Sequence, residues 1–151
     1  MAWHSIIQQD LSKLADAIVF FERELDDAKK ECKLYGSIEK AAAAMPGQME
    51  HRFGQLQEIE SILEYLNIQL RKIRSKHFRK YLENYQRSLS SRDCEKFVDG
   101  EAEVIDQELL INEFALLRNK WIGLIKAFDQ KSFSISNIIK LRAVGIDDAS
   151  F

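Results

Sequence analysis

Proline occurs once in 151 residues, at Pro46, and glycine only six times. With so few breakers, and with Ala, Leu, Ile, Glu, Lys and Gln plentiful, the chain favours helix over sheet. The expected fold class is all-α, in a single domain over residues 1–151. Two cysteines, Cys32 and Cys94, are too few for a disulfide framework. No apolar run reaches the length of a bilayer span, and no secretory leader is recognisable. Together these point to a reducing, cytoplasmic setting.

Catalytic signatures are missing as well. There is no glycine-rich phosphate loop, no HExxH and no GxSxG. His4, His51 and His77 lie far apart, and neither cysteine stands at a zinc-ligand spacing from them or from the other. The acidic stretch 93–108 lacks the Asp-Gly-Glu arrangement of a calcium loop. No metal, no cofactor and no enzyme activity is expected. His51 beside Glu50 reads as surface decoration.

What the chain does have is period. Ile7, Leu11, Leu14, Ile18, Phe21, Leu25, Ala28, Cys32 and Tyr35 step by four and three, which predicts a heptad helix over 5–35, ended by Gly36. Ser37 is placed to cap a short helix through Ala41–Ala44, and Pro46 to open a second long helix over 47–89. That helix carries Leu56, Ile59, Leu63, Leu66, Leu70 and Ile73. It loses register at His77, where a kink and an exposed histidine are expected, and resumes with Phe78, Leu82, Tyr85 and Leu89.

Residues 90–100 read as a connection, with Asp99 a cap for a third helix over 101–130. Its seam is Leu110, Phe114, Leu117, Trp121, Leu124 and Phe128. After Lys131 the alternation of Phe133 and Ile135 predicts a turn, then a short helix over 134–144 capped by Ser134 or Ser136. A helix over 47–89 would be about 65 Å long at ~1.5 Å per residue. A compact monomer of this length is only ~40 Å across. The seams therefore predict a helical hairpin or elongated bundle that completes its core by self-association. Phe114, Leu117, Trp121, Leu124, Phe128, Phe133, Ile135 and Ile138 are the candidate contacts between copies.

The net charge of −2 conceals segregation: residues 1–64 carry −5, 65–92 carry +7, 93–113 carry −7 and 114–151 carry +3. The candidate nucleic-acid-binding residues are Arg71, Lys72, Arg74, Lys76, Arg79, Lys80, Tyr81, Tyr85 and Arg87. On a helix Lys72, Lys76, Arg79 and Lys80 share a face, with Phe78, Tyr81 and Tyr85 close by. Cations suit the phosphates of a single strand, and rings suit its unpaired bases. Five neutralised phosphates would give a log-log salt slope of about −3.5.

The competing reading is that the acidic block neutralises the basic one, within the fold or between copies. If the two long helices turned back near residue 95, paired positions would sum to about 190. Carboxylates at 101–108 would then face 82–89, and 71–80 would face 110–119, which holds Glu113 against Arg118, with Lys120 just beyond. On that register the basic stripe stays open.

The segments RKYLENYQR, LLRNKWIGLIKAF and KSFSISNIIKLR, within about 70–145, resemble the UvsY family of phage recombination mediators. The likeness rests on Arg79, Lys80, Tyr81 and Tyr85, on Trp121 within a long helix, and on Lys131, Ser132, Phe133, Ile135 and Ile138. It implies a helical ring that binds single-stranded DNA and helps a RecA-like recombinase replace single-strand binding protein, in the host cytoplasm, with no bond made or broken. Lys76, Arg79 and Lys80 would correspond to the DNA-contacting residues. Two alternatives stand beside it: a small-terminase-like packaging subunit with a helix-turn-helix involving Ser37–Gly47, and a structural coiled-coil adaptor whose charge blocks set register.

Overall fold

A computed structural model describes residues 2–84 and 89–145. Helices α1 (Trp3–Gln9), α2 (Leu14–Glu31), α3 (Ile38–Asn84), α4 (Ser91–Asp99) and α5 (Ala102–Ala143) account for nearly all of them, and no strand occurs among the described residues. The chain is an elongated all-α bundle. Its axis is the antiparallel pair of α3, 47 residues and about 70 Å long, and α5, 42 residues and about 63 Å.

The heptad stretch at the N-terminus is two helices, not one. Asp10 leaves the helical region at φ −148°, and its carboxylate accepts from the backbone N–H and the hydroxyl of Ser12 at 3.0 and 2.6 Å. This local bonding competes with helix continuation. After a short 3-10 turn, Leu11–Lys13, α2 begins. The break lets α1 fold onto α3, where Glu58 accepts from the backbone N–H groups of Trp3 and His4. Ile7, Leu14, Phe21, Leu25 and Ala28 are buried as the seam requires, while Leu11 and Tyr35 are exposed. At the α2–α3 turn Gly36 takes φ +74°, a conformation that favours glycine.

Ser37 caps α3 by accepting from the N–H of Lys40 at 3.3 Å, and α3 then runs without a turn through the alanines and Pro46. The expected separate helix before Pro46 is absent. Proline forfeits a helical hydrogen bond at a cost of about 3 kcal/mol. Continuity is favoured instead by Ile38 and Met45, both buried on the same stretch of helix. Nor does α3 unwind at His77: that ring is buried, not exposed, and Leu82 points to solvent.

Phe21, Ile59, Ile62, Leu66, Phe114, Trp121 and Phe128 are fully enclosed at the centre. Phe21 meets Trp121 edge-on at 6.4 Å. Beside this core Arg52 is buried and reaches Glu24 at 2.7 Å, Glu31 at 2.7 Å and Gln55 at 3.0 Å. It ties α2 to α3 as one polar joint. Burial of Glu24 is outweighed by the hydrogen bond from Gln55 and the Arg52 guanidinium, which hold its carboxyl below the usual range. Lys131 closes the joint by donating to the Glu31 carbonyl, at the C-terminal end of α2 where the helix dipole favours a cation.

Past residue 131, α5 continues unbroken to Ala143, so the expected turn and separate final helix do not form. The inward positions are Phe128, Lys131 and Ile135, at helical spacing. The alternation of Phe133 and Ile135 sets one residue outward and one inward on the same helix.

Candidate nucleic-acid interface

The basic run lies on α3, but the register opposite it is not the expected one. Most of the expected connection over 90–100 is a helix, α4, which Ser90 caps by accepting from the Asp93 N–H at 3.2 Å while donating to the Asp93 carboxylate at 2.9 Å. Cys94 and Val98, one turn apart, bury this helix against α3. Asp99 is its last residue, and Glu101 takes the N-cap position of α5. With α4 packed back along α3, carboxylates 99–108 face 74–81, so paired positions sum to about 180 rather than 190.

The result is a clasp. Arg74 contacts Asp99 at 2.7 Å and Glu108 at 3.7 Å. Lys76 contacts Glu103 at 2.9 Å, and Lys80 contacts Glu101 at 2.9 Å. Between them His77 sits with Nε2 2.8 Å from Glu103 and Nδ1 3.7 Å from Glu101. Tyr81 donates to Glu101 and stacks on Phe97 with ring centroids 5.2 Å apart, and the Lys80 ammonium lies 4.8 Å from the Tyr81 ring. Hydrogen bonds from Tyr81 and Lys80 hold the Glu101 carboxyl below its ordinary range, and Lys76 with His77 does the same to Glu103.

Of the nine sequence-derived binding residues, Tyr85 and Arg87 lie outside the described residues. Arg74, Lys76 and Lys80 are paired with carboxylates of the same chain, which corrects the expectation of an open stripe there. Tyr81 is half-buried within the clasp. Among the described residues Arg71 has only an exposed contact to Glu64 at 3.3 Å. Lys72 and Arg79 are exposed and have no ion-pair partner among the described residues. Arg71, Lys72, Ser75, Lys76 and Arg79 line a shallow groove along α3. Seven residues apart, Lys72 and Arg79 stand about 10 Å from one another along the axis.

The candidate contacts between copies are also redistributed. Phe114, Leu117, Trp121, Leu124 and Phe128 are consumed by the chain's own core, since α2 supplies the third helix that the seam calls for. Ile135 is buried and Ile138 half-buried, leaving Phe133 exposed at 64%. A different apolar stripe faces outward: Ile105, Leu109 and Leu116, on the side of α5 away from Val104, Phe114 and Leu117.

The sequence placed Glu101, Glu103 and Glu108 opposite 82–89 and Asp99 at a helix cap, not on Arg74, Lys76 and Lys80, and gave no role in the basic run's pairing to His77 or Phe97. The signal for them was the Ser90–Asp93 cap followed by Cys94 and Val98 at helical spacing. No cluster of three metal-ligating side chains occurs among the described residues. Glu101 and Glu103 approach opposite nitrogens of His77, so the three do not converge on one ion. Among the described residues no helix is long and apolar enough to cross a membrane.

Comparison with protein-family models, with curated proteins and with solved structures finds no match.

Proposed function

We propose that this chain is a non-enzymatic, self-associating protein that holds single-stranded DNA on the open face of α3. Its role is that of a recombination mediator, helping a RecA-like recombinase replace single-strand binding protein, as the resemblance to the UvsY family implies. The observation that carries the reading is the exposed pair Lys72 and Arg79, cations with no carboxylate to answer them among the described residues, in a groove with Arg71, Ser75 and Lys76. Unanswered cations on a helix face are what a phosphate backbone requires.

Self-association is supported by surface area. The chain exposes 9797 Å², against about 7,900 Å² for a compact protein of its mass. The excess, about 1,900 Å², is more than twice the ~800 Å² that each partner gives to a standard interface. Ile105, Leu109 and Leu116 are the proposed contact. Linked copies would add weak DNA contacts into a firm one. Introducing charge with Leu109→Glu and Leu116→Glu should lower the mass measured in solution; an unchanged mass would remove this stripe from the proposal.

Lys72→Ala with Arg79→Ala is the direct test of binding. Neither side chain has an ion-pair partner among the described residues, so the melting curve should not move. Affinity for labelled oligo-dT should drop, and the salt slope should flatten by about 1.4 for the two cations. Unaltered binding would remove this pair from the proposal, whereas a native chain that binds no oligonucleotide would return the structural adaptor, the second reading, to which the ion pairs between α3 and the 99–108 stretch lend support. The packaging alternative draws less support, because Ser37–Gly47 is the start of a single helix that runs on for 47 residues.

A further inference from the structure

The clasp sets the cations of one helix in two states: Lys72 and Arg79 are open, whereas Arg74 and Lys76 are occupied by Asp99, Glu108 and Glu103. We infer that these three carboxylates are built-in competitors for the polyanion, so that a bound strand gains Arg74 and Lys76 by exchanging phosphate for carboxylate. This rests on the proposed single-strand binding and names how that same site is regulated.

Exposure makes the exchange feasible. Asp99 and Glu108 retain 62 and 48% of their side-chain surface, so each can rotate into water without backbone movement, while Glu103 is held by the His77 ring at 2.8 Å and it is Lys76, 63% exposed, that swings away from it. Pairs of that kind add little net stability. Glu101 differs: it is 19% exposed and anchored by Tyr81 as well as Lys80, so it stays in place and keeps α5 docked. The inference therefore extends to Arg74 and Lys76 and stops short of Lys80.

Exchange leaves a thermodynamic mark. A phosphate that meets a free cation sheds its condensed counterion, which makes binding salt-dependent. A phosphate that displaces a carboxylate also sheds one, but the freed carboxylate takes a cation back from solution, and the two nearly cancel. In the native chain Arg74 and Lys76 thus add affinity without adding salt dependence. Removing the competitors turns both into ordinary phosphate contacts.

The test compares two triple variants by oligo-dT anisotropy across a salt series. Asp99→Asn, Glu103→Gln and Glu108→Gln preserve shape and remove the competing charge; the amide that replaces the Glu103 carboxylate can still hydrogen-bond the His77 ring. Asp106→Asn, Glu113→Gln and Asp129→Asn remove the same charge from exposed positions without an ion-pair partner among the described residues. The first set is expected to bind several-fold tighter than native at low salt and to steepen the slope by about 1.4 per subunit in contact. The second set should leave the slope unchanged. Equal slopes for native and clasp variants, or equal gains from both sets, would overturn the exchange while leaving the binding site standing. Should the triple variant lose its helical signal, Glu103→Gln alone decides, with half the steepening expected and none as the refuting result. Binding that ignores Lys72→Ala and Arg79→Ala in either background would instead sink the underlying site.

Discussion

Along residues 56–66 α3 meets its neighbours through Leu56, Ile59, Ile62, Leu63 and Leu66; along 74–81 it meets them through Arg74, Lys76, His77, Lys80 and Tyr81. The first region packs large side chains from three helices around Phe21 and Trp121. The second buries little besides His77, Cys94, Val98 and Val104, and is closed over by ion pairs with substantial exposure. Stability therefore resides in the centre, while the charged end holds groups that solvent and polyanions can reach. A binding surface is most easily built where little of the fold depends on it.

The largest effect should come from the centre. Trp121→Ala empties a fully buried site, and such truncations cost about 3–5 kcal/mol. Urea denaturation would measure it, and a loss below about 2 kcal/mol would mean that the centre is not what holds the bundle. Trp121→Phe should be much milder, because the indole N–H has no hydrogen-bond partner among the described residues and its removal relieves a desolvated donor.

Next comes the polar joint at the edge of that core. Arg52→Ala leaves Glu24 and Glu31, two turns apart on the same face of α2, without their shared cation. Breaking a buried pair costs about 3–5 kcal/mol, and the low end applies because both carboxylates keep some contact with water. The matching substitution at the charged end, Arg74→Ala, should barely shift the denaturation midpoint, since its partners are exposed. Similar losses from the two arginines would erase the distinction between the regions.

The same contrast explains what was legible in the sequence. Apolar spacing located Phe21, Leu56, Ile59, Leu63, Leu66, Phe114, Leu117, Trp121 and Phe128 as inward residues, because one face of a helix recurs with its period. It did not say which helix would cover them, and α2 took the place assigned to another copy. Charge spacing located the basic run but not its partners. Ion pairing depends on register between helices, and a nine-residue helix with a single buried turn, Cys94 and Val98, moved that register by about ten in the paired sum. Asp10 and Pro46 misled in opposite directions. A polar side chain broke a helix whose apolar period was perfect, and a proline failed to break one whose buried face continued.

The smallest effect is the most discriminating, because it depends on sign. Glu101 and Glu103 have carboxyls lowered in the folded chain, chiefly by Tyr81 and Lys80 for the first and by Lys76 and His77 for the second. A group whose folded pKa lies below its unfolded value stabilises fully at pH above the unfolded value, and that contribution vanishes as pH falls through the folded one. Neutral solution therefore keeps the clasp closed, and acid opens it. Glu24 follows the same sign at the polar joint, so the native melting temperature should decline on acidification from both regions at once. Glu101→Gln with Glu103→Gln removes the clasp's share: near neutral pH the variant should melt slightly below native, and the gap should close as the carboxylates of the native chain become protonated. A gap that stays constant into acid would show that these carboxylates support the charged end through shape and not through charge.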